Sequence, residues 1–167
     1  GWSADDYGFF SGSYGLINVF LLMLFFGGII LDKLGIRFTG VLSTALMVVG
    51  VLIKYVAVST DFHGAVFSLG SFSLPMSAAV ACLGFAIFGV GCEITGITIS
   101  KTITKWFTGH EMALAMGVQV ALARLGTAAA LSANLPMAKA TSLGIQLPVL
   151  VGAALLIAGF LGFLVYN

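Results

Sequence analysis

Long apolar stretches follow one another along nearly the whole chain, and the polar segments that separate them are short. Each stretch is close to the ~20 residues that an α-helix needs to cross the ~30 Å hydrocarbon core of a bilayer. Lipid offers no partner to backbone N–H and C=O groups, so a spanning segment is either a helix or part of a closed barrel. A barrel strand is about half as long and alternates in polarity, which these stretches do not. The expected fold is therefore all-α, a polytopic membrane helical bundle. Charged residues are 8% of the 167 positions and hydrophobic residues 60%, against roughly a quarter charged in an ordinary soluble domain. Because the apolar character is not confined to one segment, a soluble domain with a single anchor is excluded as well.

Five spans are expected, over about residues 5–31, 39–58, 75–102, 109–135 and 147–166. The first opens on Ser3-Ala-Asp-Asp6 and the fourth on Thr108-Gly-His-Glu111, both capping-box patterns in which a hydroxyl and a carboxylate exchange hydrogen bonds with first-turn amides. Pro75 and Pro148 suit the first turns of the third and fifth spans. The connection from Ser59 to Ser73 is polar and rich in Gly and Ser, and Pro136 with Lys139 marks the exit of the fourth span.

Orientation follows from the cationic residues, which are retained on the cytoplasmic side. The first connection carries Lys33 and Arg37 and the third carries Lys101 and Lys105, whereas the opposite face holds Lys139 and, at a helix end, Lys54, together with Asp5, Asp6 and Asp61. The first and third connections are therefore expected in the cytoplasm and Gly1 outside. That start and the odd number of spans imply one more helix upstream in a protein whose N-terminus is cytoplasmic. Lys54, near the outer end of the second span, is expected to extend to the interface.

Several function classes are unsupported by the residues. A net charge of +1 provides no basic field for nucleic acid. Cys82 and Cys92 lie within an apolar stretch as small hydrophobes, and neither has the His or Cys spacing of a zinc site. There is no nucleotide-binding fingerprint and no catalytic triad, so no cofactor and no enzyme activity are expected; a membrane-embedded enzyme would need a constellation outside this chain. The bilayer and a small-molecule solute are the expected partners.

Two constellations carry chemistry. In Gly28-Ile-Ile-Leu-Asp32-Lys33-Leu-Gly35-Ile-Arg37, Gly28 permits close helix approach, Asp32 stands at a helix end where it can pair across to a neighbour, and Gly35 permits the chain to reverse. The bland alternative is a tight turn with positive-inside charges. The second constellation is a pair of charges within the spans. Glu93 lies about nine residues before the end of the third span and Arg124 about fifteen after the start of the fourth. Their sequence midpoint falls between Thr108 and Gly109, within the short connection, so in an antiparallel helix pair the two should be level near mid-membrane. An ionisable group at that depth costs about 2.5–3.5 kcal/mol on insertion scales, so both should face the bundle interior or an aqueous cavity. There a carboxylate receives an ammonium and a guanidinium grips a carboxylate, a pairing suited to a zwitterion. The alternative is a structural salt bridge between the helices. Tyr14, Asn18 and Gln119 are further candidates for the cavity wall, or for interhelical hydrogen bonds. Gly84, Gly89, Gly91 and Gly96, Gly117 with Ala121, and Gly126 with Ala130 are expected to be close-packing surfaces.

The loop from Gly28 to Arg37 resembles the signature between the second and third helices of the major facilitator superfamily, although it lacks a second consecutive arginine. The stretch Gly91-Cys-Glu93, the turn Trp106-Phe107-Thr-Gly109-His-Glu111 and the run Gly117-Val-Gln119-Val-Ala-Leu-Ala123-Arg124-Leu-Gly126 are similar to the lysosomal dipeptide transporter branch of that superfamily and its bacterial relatives. The resemblance implies that the spans are helices two to six of a six-helix half, and that a C-terminal half supplies the opposite wall of the pocket. It further implies alternating access, with Gly28, Asp32, Lys33, Gly35 and Arg37 as a gating loop. Glu93 would take the amino end of a dipeptide and Arg124 its carboxylate. The membrane would be a bacterial inner membrane, or the lysosomal one in a eukaryote. Uniport and proton coupling both remain open, as does a non-transporting scaffold in which Glu93 and Arg124 form only a structural pair.

Overall fold

A computed structural model describes residues 4–20, 23–60, 66–69, 72–140, 142 and 144–166. It contains five helices and one hairpin in the order α1 (Ala4–Phe20), α2 (Met23–Ser59), β1 (Val66–Leu69), β2 (Phe72–Pro75), α3 (Met76–Trp106), α4 (His110–Ala140) and α5 (Gln146–Tyr166). Among the described residues, four helical stretches, Phe25–Ser59, Met76–Trp106, His110–Ala140 and Gln146–Val165, are long and apolar enough to cross a membrane. The Ser3 end of the first capping box lies outside the described residues.

The organising feature is the reversal within α2. At Gly35 the backbone takes φ 80° and ψ 171°, a left-handed conformation that side chains with a Cβ rarely adopt. Contacts with α3 reveal the consequence. Before Gly35 the chain runs in the same sense as α3: Phe10 stacks on Phe85, Tyr14 reaches Glu93, Gly27 faces Ile94 and Ile97, and Asp32 pairs with Lys101. After Gly35 it runs in the opposite sense, with Ser43 bonded to Thr95 and Gly50 against Gly84 and Phe88. One glycine thus folds 37 residues of helix into two antiparallel arms.

The core lies between the second arm of α2 and α3, and it is built from small side chains. Thr39, Ser43, Ala57, Ala78, Ala81, Ala86 and Thr98 are buried. With no hydrophobic drive between helices in lipid, close backbone approach and interhelical hydrogen bonds hold such a contact together. A Cβ placed on Gly50 would lie 2.6 Å from Phe88 N and 2.7 Å from Gly84 O. Across the same seam Thr95 Oγ1 donates to Ser43 Oγ at 2.9 Å. Phe163 of α5 lies against Gly40, bringing the C-terminal end of α5 to the Gly35 side of the bundle.

α4 is different. None of its described residues is buried, and it continues through Pro136 to Ala140, as helices in lipid can when neighbours satisfy the freed carbonyl. The surfaces expected around Gly117 and Gly126 are not packed, since no atom lies within 4 Å of where a Cβ would stand on either. Gly96 is equally open, whereas Gly84, Gly89 and Gly91 are buried. The connection between α2 and α3, expected to be polar and rich in Gly and Ser, contains an antiparallel hairpin in which Val66 pairs with Pro75 and Leu69 with Phe72.

Candidate functional site

Glu93 sits half-buried on α3, and the Tyr14 hydroxyl donates to its Oε1 at 3.1 Å. Tyr14 itself leans on Phe85, with ring centroids 5.3 Å apart, and Phe85 is stacked on Phe10 at 4.7 Å. The carboxylate is thus oriented by a phenol that aromatic packing holds in place. The Lys54 ammonium lies 4.9 Å from the Phe85 centroid and 4.4 Å from that of Phe88. It makes a cation–π contact within the bundle, in place of the extension to the interface expected of it.

Arg124 is exposed on α4. Glu93 lies thirteen residues before Trp106, the last residue of α3, and Arg124 fourteen after His110, the first of α4. At 1.5 Å per residue the two stand about 20 and about 21 Å from the connection they share. They are not joined: among the described residues no ion pair links Glu93 and Arg124. Between the helices lies a cleft of about 990 Å³. Its walls include Cys92, the neighbour of Glu93, and Ala123, the neighbour of Arg124, but neither charged residue itself. Gln119 lines it, with Thr95, Gly96 and Glu111, amid a largely aliphatic surface. Asn18 lies on α1, and its side chain falls outside the described residues.

The charged loop occupies the other end of the bundle. Asp32 forms an ion pair with Lys101 of α3, which ties the first arm of α2 to the end of α3 at the reversal. Gly35 is the turning residue. Gly28, Lys33 and Arg37 lie along the same loop, Lys33 and Arg37 exposed and Gly28 with nothing within 4 Å of a Cβ position.

Two features of the site are not singled out by the sequence. The Ser43–Thr95 bond was signalled only by hydroxyl residues in apolar helices, which more often bond their own backbone, as Thr98 does to Ile94 O. Nothing in the spacing of Lys54, Phe85 and Phe88 announces that the lysine lies over both rings.

By helix length, apolarity and small-residue packing, the chain is an integral membrane protein of the all-α polytopic class. It resembles the lysosomal dipeptide transporter MFSD1. It is 29% identical to that protein of Danio rerio over 108 residues, 64% of this chain and 20% of the relative. Identity is 27% to the Bos taurus protein and 26% to the Homo sapiens protein, over the same shares of both chains. The matched region spans about a fifth of the length of these curated relatives. No family model matches the chain, and no solved structure does.

Proposed function

We propose that this chain is part of a membrane transporter, not an enzyme, that moves a small polar or zwitterionic solute by alternating access, and that dipeptides are its substrates. The observation that carries this reading is a pair of opposite charges at matched distances from the connection of two membrane-crossing helices, beside a cleft that neither of them lines. Glu93 is held by Tyr14, while Arg124 is exposed on α4 and makes no ion pair with it. A zwitterion that reaches both would meet a carboxylate at its ammonium end and a guanidinium at its carboxylate end. The likeness to lysosomal dipeptide transporters supports a ligand of that form. Gln119 in the cleft wall is a further polar contact, and Asn18 is proposed with it from the sequence alone.

In this reading Gly28, Asp32, Lys33, Gly35 and Arg37 gate the cycle, the Asp32–Lys101 pair forming and breaking as a six-helix half rocks against a C-terminal half. The host membrane is lysosomal in a eukaryote and the inner membrane in a bacterium. A scaffold in which Glu93 and Arg124 are a structural pair has less behind it, because the two are not bonded to each other among the described residues.

The test is uptake by the intact protein in proteoliposomes, using a panel of free, N-acetylated and C-amidated dipeptides. Glu93→Gln and Arg124→Lys should each lower uptake of the free dipeptide by at least tenfold. Masking one terminus should abolish the further effect of the variant that reads that terminus. Equal transport of free and N-acetylated dipeptides would refute the assignment of Glu93.

A further inference from the structure

Where α2 reverses, a second cleft of about 440 Å³ opens against the end of α3. Its walls hold one carboxylate and three cations, Asp32, Arg37, Lys101 and Lys105. The carboxylate is already engaged by Lys101, so Arg37 and Lys105 are left without an ion-pair partner among the described residues. The remaining wall is apolar and includes Leu34 and Ile36. It continues onto exposed surface, with Leu34 55% and Phe38 52% accessible. An excess of positive charge above an apolar wall, at the ends of two membrane-crossing helices, matches a ligand with an anionic head and a hydrocarbon body. The positive-inside distribution places this end in the cytoplasmic leaflet, where anionic lipids collect and basic pockets between helices take their headgroups.

We propose that this cleft binds a phosphate group, with the Arg37 guanidinium forking onto two of its oxygens and the Lys105 ammonium as the second donor, and with an anionic phospholipid as its source. Asp32 then acts against binding, by holding Lys101. The site shares no residue with the solute cleft between α3 and α4, although it includes Asp32, Gly35 and Arg37 of the proposed gate.

Trp106, next to Lys105 and 70% exposed, is a built-in reporter. The protein is reconstituted in phosphatidylcholine vesicles containing a brominated phosphatidylglycerol or, separately, a brominated phosphatidylcholine, and the quenching that Trp106→Phe removes is recorded. Phosphatidylglycerol should quench at several-fold lower mole fraction. Arg37→Gln and Lys105→Gln should each weaken that preference about fivefold, as expected for one cation near an anionic headgroup. Asp32→Asn, which frees Lys101, should strengthen it. Lys33→Gln, exposed and adjacent but not part of the cleft wall, is the control and should leave it unchanged. Displacement by millimolar glycerol 3-phosphate or inorganic phosphate would keep the phosphate site and make a soluble phosphate its source; no displacement assigns it to lipid. Equal quenching by both lipids with no effect of soluble phosphate would overturn the proposal. So would an equal loss in Lys33→Gln, which would reduce the effect to general surface charge.

Discussion

The seam between the second arm of α2 and α3 makes a quantitative demand at Gly50. A Cβ there would lie 2.6 Å from Phe88 N, 2.7 Å from Gly84 O and 2.8 Å from Phe88 Cα. All three are backbone atoms, which cannot rotate aside. Reaching the 3.4 Å at which ordinary contact begins requires the helices to part by about 0.8 Å. That displacement also stretches the 2.9 Å Thr95–Ser43 bond. Overpacking of this kind costs about 1–3 kcal/mol, and alanine recovers up to about 1 kcal/mol over glycine in a helix interior. Gly50→Ala should therefore lose about 1 kcal/mol net, and Gly50→Leu at least twice that. Reversible unfolding in mixed detergent micelles, followed by circular dichroism, measures the difference. Gly117→Ala is the internal reference: no atom lies within 4 Å of a Cβ there, so it should be neutral or slightly stabilising. If Gly50→Ala is as stable as the parent, or Gly117→Ala is as damaging, close backbone contact is not what holds these helices.

Three further outcomes are expected. Gly35→Ala forces a Cβ into the left-handed region at φ 80° and should cost about 1–2 kcal/mol in the same unfolding assay, whereas Gly28→Ala, with open space around it, should not. Tyr14→Phe removes the donor to Glu93 while keeping the ring on Phe85, and a lost hydrogen bond to a charged acceptor should lower uptake kcat/KM about tenfold or more with little change in thermal stability; unchanged uptake would remove Tyr14 from the site. Asp32→Asn should shift stability by less than about 1 kcal/mol, since both members of the pair are solvent-accessible, at 74% and 42% of their side chains. Its effect should fall on turnover, and the exchange Asp32→Lys with Lys101→Asp should bring turnover back to within about twofold if the ion pair is the latch.

The helical class was legible because lipid leaves the backbone no other choice, and the apolar segments state their own lengths. Gly35 could be read as the reversing residue from its place between charged neighbours at the end of an apolar run. The readiness of Asp32 to pair was visible too, but not the identity of Lys101 as its partner. That depends on the first arm of α2 running alongside α3, which no local pattern encodes. The hairpin at Val66–Leu69 and Phe72–Pro75 was hidden by its short strands and its Gly and Ser content, which reads as a loop. Helical small-residue spacing marked Gly84 and Gly91 correctly and Gly117 and Gly126 incorrectly. Spacing identifies a surface capable of close approach but not whether another helix lies on it, and among the described residues none lies against Gly117 or Gly126.

The equal depth of Glu93 and Arg124 came from counting residues away from a turn, and the same counting cannot tell whether the two charges touch. The energetics of the proposed cycle hinge on that difference. Each charge alone costs about 2.5–3.5 kcal/mol at the bilayer centre on insertion scales. Glu93 offsets part of this through Tyr14, whereas Arg124 remains exposed on α4. Closing the two into a buried pair gains Coulomb energy but sheds the water around both, and the balance of those terms in an interior is often near zero. A pair near balance can be opened by a modest differential affinity, and a ligand shifts a two-state equilibrium only by that difference. Under the proposed function a zwitterion would supply it, giving each charge a partner without requiring the helices to meet, whereas a solute with one charge would leave the other side chain unpaired. On that proposal, selectivity for doubly charged termini would follow from the cost of the unpaired partner more than from the strength of either contact.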